Sequence, residues 1–339
     1  MKRVSRALFT ALRILTGIGL LVYLAFSDSI GWSELGELSR AWEATLSALA
    51  LLVIILGLTS WRLCLLLGPR GLHLSFGASF RLTLIGSFFN NFLPGGAGGD
   101  IVRIYYAMRG NEGRRTEIAT IILLDRVFGT FALLVLPLLL APMFPELLQA
   151  VPVLRGMLWI AAAGAAAVLL GLLLCFTGRA DNTSLAVRLF QRLPLGSYAW
   201  RIYQTVRAYR HDRATLVAAL AISLLVHSLL VVSMLILVHV TSTGGVRWPM
   251  AVLIPLGFVA NTLPLTPGGL GVGEVAFRTL FQLGGFTGGV EALLGWRVLT
   301  VLITVPGLIF HLQGRKEYLS FAAQTARPPS AEELALPAD

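Results

Sequence analysis

Six blocks of mainly apolar residues run along the chain, at about 7–26, 45–67, 117–141, 153–177, 214–240 and 291–312. Each approaches or exceeds the roughly 20 residues that a helix needs to cross a bilayer. Two further apolar regions, 82–106 and 248–283, are interrupted by proline and glycine. The pattern predicts an all-α, polytopic membrane protein with about six spanning helices. The two broken regions either cross once or turn back to the side they came from.

The positive-inside rule separates those alternatives. Lys2, Arg3 and Arg6 place the N-terminus in the cytoplasm, and the loop 27–44, with four acids against one arginine, lies outside. Arg70 and Arg81 return to the inside. A single crossing at 82–98 would then strand Arg103, Arg109, Arg114, Arg115 and the arginine-rich 179–213 outside. A re-entrant hairpin keeps both groups inside. The same reasoning makes 248–283 a hairpin entered from outside, which leaves Arg315 and Lys316 in the cytoplasm. Both termini are therefore expected to be cytoplasmic. The first block reads as a retained signal anchor, residues 1–320 as one integral membrane domain, and the Pro- and Ala-rich 321–339 as a disordered cytoplasmic tail. The segment 184–210 mixes arginine with Leu, Phe, Trp and Tyr, which fits either two short amphipathic helices on the inner leaflet or a basic loop that sets orientation.

Composition agrees. Of 339 residues, 56% are hydrophobic and 13% charged, against about 25% charged in soluble domains. A soluble globular enzyme is excluded. The net charge of +10 does not indicate nucleic acid, because no basic domain stands outside the apolar blocks. All but two of the 27 basic residues are arginine, and most mark the cytoplasmic face. Cys64 and Cys175 lie inside apolar runs, and the five histidines show no metal-ligand spacing. No cofactor is expected.

The two broken regions resemble each other. FFNNFLPGGAGGDIVR (88–103) and VANTLPLTPGGLGVGEVAFR (259–278) share an order. Asn91 or Asn261 is followed by Pro94 or Pro264, then a glycine run, then one acid, Asp100 or Glu274. An arginine follows, Arg103 or Arg278. A second arginine sits in the next block, Arg126 in ILLDRV and Arg297 in LLGWRV. Because the hairpins enter from opposite sides, the halves (about 45–141 and 214–312) form an inverted-topology repeat, an architecture of secondary transporters. Irregular backbone at membrane depth requires protein or a watery cavity around it, so the tips should face a cavity between the repeats.

Two readings of the intramembrane charges stand side by side. Asp100 with Arg103 and Glu274 with Arg278 are spaced to neutralise one another along a helix. Alternatively, helix N-termini and Gly-rich backbone offer N–H groups to an anion, with Arg126 and Arg297 adding charge at the cavity wall. Asp125 and Arg126 point about 100° apart, so Asp125 is expected to meet an arginine of another helix. Asn91 and Asn261 suit the hairpin bends, as turn caps or as ligands. Arg62 and Arg81 flank the first hairpin and could receive a headgroup, with surface anchoring the preferred reading for Arg81. The candidate substrate-binding set is thus Asn91, Asp100, Arg103, Asp125, Arg126, Asn261, Glu274, Arg278 and Arg297. GGAGGDIVR lacks the Lys-Ser/Thr end of a P-loop, and GGLGVGE follows no strand, so neither is a nucleotide motif.

These strings, NNFLPGGAGGDIVR, ILLDRVFG and NTLPLTPGGLGVGEVAF, resemble the flippase-like integral membrane family related to the transmembrane region of lysylphosphatidylglycerol synthase. The resemblance implies residence in the cell inner membrane and the translocation of phospholipids or polyprenyl-linked intermediates. Membrane lipids with anionic or polyprenyl-phosphate headgroups are then the expected partners, and lipid aminoacylation is not implied. A non-enzymatic lipid transporter is the leading expectation. A small-solute or ion transporter is a rival, as is an intramembrane enzyme with Asp100 or Glu274 as general base.

Overall fold

The computed structural model describes residues 40–91, 98–109, 112–177, 196–242, 244–262 and 269–313. All regular structure among these residues is helical. In chain order the α-helices are α1 (Trp42–Leu67), α2 (Phe76–Asn90), α3 (Gly98–Met108), α4 (Arg115–Leu140), α5 (Pro145–Ala150), α6 (Pro152–Thr177), α7 (Gly196–Ala208), α8 (Arg213–Thr241), α9 (Met250–Asn261), α10 (Val272–Leu283) and α11 (Gly289–Gln313). Five of them, α1, α4, α6, α8 and α11, are long and apolar enough to cross a membrane. They coincide with five of the six predicted blocks. The sixth, 7–26, lies outside the described residues, as do the tail 321–339 and 184–195. The second part of the Arg- and aromatic-rich segment forms α7.

Two apolar clusters occupy opposite ends of the bundle. One gathers Ala48 and Leu52 of α1, Leu133 and Leu136 of α4, Val238 of α8, and Ala292 and Leu293 of α11. The other gathers Leu63 and Leu66 of α1, Ile118 and Ile121 of α4, Ala219 of α8, and Leu308 of α11. Helices α1 and α11 therefore run one way, and α4 and α8 the other. The short helices divide cleanly. α9 and α10 contribute their buried residues to the first cluster, and α2 and α3 to the second. Each pair is a helical hairpin of half-length arms. The start and finish of the α2–α3 hairpin lie together: Arg81 stacks on Phe310, and Tyr106 bonds His311, both near the end of α11.

Contacts between elements repeat across the halves. α1 packs on its counterpart α8, α2 on α11, and α9 on α4, while each hairpin also closes on itself. Every hairpin thus leans on a spanning helix from the other half. Close backbone approach makes this possible. A Cβ added at Gly307 of α11 would lie 2.3 Å from the Leu84 carbonyl oxygen of α2, and one at Gly99 of α3 would lie 1.8 Å from the Gly86 carbonyl oxygen.

Charge is distributed unevenly between the ends. The end bearing the α2–α3 hairpin carries Arg70, Arg109, Arg114, Arg115, Arg207, Arg210 and Arg213. Arg70 and Arg114 share Glu117 there, at 2.6 and 2.7 Å. Tyr209, at the end of α7, donates its hydroxyl to the Leu66 carbonyl. Burial pushes that hydroxyl well above the usual tyrosine range.

Gly307→Ala should lower the thermal midpoint of the detergent-solubilised protein by several degrees, since overpacking costs about 1–3 kcal/mol. Gly171→Ala, where a Cβ meets nothing within 4 Å, should leave it unchanged. A fluorescence-detected melt checks both.

Candidate functional site

The first charge cluster forms where α3 meets α4. Helix α3 begins at Gly98, so Asp100 sits in its first turn, where an acid complements the helix dipole. The Asn90 side-chain oxygen accepts the Gly99 amide at 2.7 Å and so holds that helix start. Asp100 then bridges two arginines. Its Oδ2 accepts from Arg126 at 2.5 Å and its Oδ1 from Arg103 at 3.4 Å. Asp125 accepts from Arg62 of α1 at 2.6 Å, and Arg103 lies 3.5 Å from its other oxygen. Arg62 also donates to Ser223 of α8 at 2.6 Å. The expected partner of Asp125 on another helix is therefore Arg62. One network joins α1, α3, α4 and α8.

Burial within it is graded. Side-chain exposure is 2% for Asp125, 5% for Arg62, 7% for Asp100 and 8% for Arg103, but 31% for Arg126. The cluster opens to its surroundings at Arg126. Arg62 is committed to Asp125 and Ser223 deep in the bundle, which corrects the expectation that it could receive a headgroup from the cytoplasmic side. A cation in an apolar helix pair is retained only with a carboxylate against it.

The second cluster forms where α10 meets α11. Arg297 of α11 donates from Nη2 to the Asn261 side-chain oxygen and the Gly269 carbonyl, each at 3.0 Å, and to Glu274 at 3.4 Å. Gly269 and Gly271 have positive φ, 71° and 79°. A Cβ at Gly269 or Gly273 would come within 2.4 or 2.3 Å of the Asn261 oxygen. Glycine is therefore required by space at both positions and also by backbone conformation at Gly269. Arg278 stands apart. It is exposed and lines a separate cavity with Phe286, Gly289 and Glu291. Glu274 turns to Arg297 instead of the arginine one turn along its own helix, because Arg297 is the buried cation and needs the carboxylate more.

The halves correspond in a register that differs from the sequence alignment by one residue. Asn90, rather than Asn91, is the counterpart of Asn261. Each follows a glycine by four, Gly86 or Gly257, and each sits against the glycine before the acid, Gly99 or Gly273. Asn91 instead donates to Thr304 of α11 at 3.2 Å. The signal was present as GSFFN and GFVAN, but the adjacent asparagines of the first copy made either a plausible match. In this register Arg103 corresponds to Phe277, not to Arg278. Both follow the acid by three, and both lie on the glycine of the preceding helix. A Cβ at Gly86 would come within 2.5 Å of Arg103 Cγ, and one at Gly257 within 2.5 Å of the Phe277 ring.

A family model described as lysylphosphatidylglycerol synthase TM region matches residues 10–307. No curated protein and no solved structure matches the chain. The family and the five apolar helices make this a multi-pass membrane protein.

Asp125→Ala should strand Arg62 in the core and cost about 3–5 kcal/mol, read as a lower melting point and loss of monodisperse protein. Replacing both Arg62 and Asp125 with leucine should recover part of that loss, since Arg62 is then no longer orphaned and Arg103 keeps Asp100.

Proposed function

The chain belongs to the lysylphosphatidylglycerol synthase TM region family, and from that membership and its paired charge clusters we propose that it moves a phosphate-bearing lipid between leaflets. The headgroup occupies the polar region between the two hairpins while the tails stay in the bilayer. No covalent change to the lipid is part of this reading. The α2–α3 and α9–α10 hairpins are re-entrant, from the cytoplasm and from outside respectively. The arginine-rich end faces the cytoplasm of a cell whose inner membrane holds the protein.

One observation carries the reading. In each half an acid at the hairpin's second helix meets an arginine of the following spanning helix, Asp100 with Arg126 and Glu274 with Arg297. The partly exposed Arg126 can exchange its internal carboxylate for an external phosphate, because a guanidinium binds both through the same N–H fork, while Arg297 holds the second hairpin on α11. Glycine-lined helix starts beside them bring backbone N–H groups close to the same place. Each pair also spans two packing units, since a hairpin docks on the spanning helix of the opposite half. Opening either pair therefore changes how the halves meet, which is what alternating access requires.

Purified protein in liposomes should accelerate headgroup translocation of a phospholipid or polyprenyl-phosphate probe. Arg126→Gln and Arg297→Gln should each lower that rate at least tenfold while the protein still inserts and folds. A rate equal to that of empty liposomes for all probes overturns the reading.

Orientation has its own test. In a variant whose Cys64 and Cys175 are replaced by serine, Gly113→Cys should react with an impermeant maleimide only from the cytoplasmic face. Gln282→Cys should react only from outside. Labelling of both from one face removes the opposed hairpins.

A further inference from the structure

The two clusters are not equivalent, and their difference bears on which phosphate the site accepts. In the first, three guanidinium groups (Arg62, Arg103, Arg126) meet two carboxylates (Asp100, Asp125). One positive charge is left over. In the second, Arg297 meets Glu274 and no charge is left over. Two of the extra members of the first cluster, Arg103 and Asp125, have aromatic counterparts in the second. Phe277 stands where Arg103 stands, and Trp296, just before Arg297, stands where Asp125 stands before Arg126. Phe277 and Trp296 both pack on Phe258. The second half thus carries rings at two positions that the first half fills with charge.

Arg103 is the residue that carries the surplus. It is 94% buried, yet its two contacts with carboxylates are long, 3.4 and 3.5 Å, and both use the same nitrogen. Its Nε and Nη2 are buried without a hydrogen-bond partner. Arg297 leaves only Nε in that state, with Nη2 serving three acceptors. A buried guanidinium with open N–H groups and an unmatched charge is complementary to an oxyanion. Asp100 links it to Arg126, through which the cluster reaches the surface.

Resting on the lipid-transport reading, the geometry points to Arg103 as the anion-binding residue of a single subsite, in the first half alone, that takes a phosphodiester. A diester carries one negative charge and brings the cluster to neutrality. A monoester carries nearly two at neutral pH and would leave a net negative charge in a desolvated site, which is strongly disfavoured. The two non-bridging oxygens of a diester suit Arg103 and the partly exposed Arg126. Both a glycerophospholipid and a polyprenyl-phosphoryl sugar present this group. Phosphatidic acid and a free polyprenyl phosphate do not.

The test is binding to the full chain in detergent, by calorimetry, with four short-chain probes: dihexanoyl phosphatidylglycerol, farnesyl phosphoryl glucose, dihexanoyl phosphatidic acid and farnesyl phosphate. At least one diester should bind with one site per chain, at least tenfold tighter than the monoester with the same tail. The tighter diester identifies the source of the headgroup. Arg103→Gln should weaken diester binding at least tenfold and Arg297→Gln less than threefold, with Arg103→Lys, which keeps the charge, retaining part of it. Monoesters binding as tightly as diesters, two sites per chain, or equal losses from the Arg103 and Arg297 variants would each overturn the assignment. The probe comparison on the unaltered protein stands even if a variant fails to fold. Diester binding without translocation in liposomes would leave the subsite intact and sink only the transport reading. Translocation without a preference for diesters would do the reverse.

Discussion

A guanidinium group enters an apolar helix bundle only if a carboxylate goes with it, and at Arg62 this requirement fixes where four helices stand. Arg62 on α1 takes Asp125 of α4 and Ser223 of α8. Arg103 of the first hairpin lies against the same aspartate. The central α1–α8 contact, which joins the two halves, is therefore also the place where the hairpin is registered against the spanning helices. The second hairpin is tied to its own spanning helix through Arg297, and the rings of Phe258, Phe277 and Trp296 pack beside that contact. Among the described residues, the charged network of the first half spans four helices, whereas that of the second joins its hairpin to α11 alone.

Much of the architecture was legible because the bilayer imposes it. Length and apolarity alone located α1, α4, α6, α8 and α11, since a spanning helix must satisfy its backbone internally and cover itself with hydrocarbon. In the structure α2 starts and α3 ends beside the last turn of α11, at the arginine-rich end. The repeat marked out the acids and arginines as matched positions, but spacing paired Asp100 with Arg103 and Glu274 with Arg278, whereas the structure adds Arg126 to Asp100 and turns Glu274 to Arg297. Position in a repeated string reports which residues face the same environment, even when the partner is 26 residues away.

What could not be read was the register inside each copy. Asn91 and Arg278 were matched by their nearest neighbours in sequence, whereas the structure matches by contact: Asn90 with Asn261 through Gly86 and Gly257, and Arg103 with Phe277 through those same glycines. The hairpin tip is longer in the second copy, and a gap in a Gly- and Pro-rich string has no unique placement. Arg62 was misjudged for a different reason. Its spacing from the first hairpin is short in sequence, but its partners are 63 and 161 residues away, and long-range pairing leaves no local pattern.

Helix α6 has a meaning that its contacts conceal. It is among the least buried helices, with Trp159 and Ile160 more than 70% exposed, and it belongs to neither set of equivalent elements. Its first turn reaches the cluster that holds the end of α4, and its last turn the cluster near the start of α8. A unit of spanning helix, hairpin and spanning helix begins and ends on one side, so two such units in tandem would come out parallel. A single added transit changes the parity and turns the second unit over. The inversion of the repeat, and with it the placing of one hairpin at each end, depends on a helix that supplies no residue to either charge network.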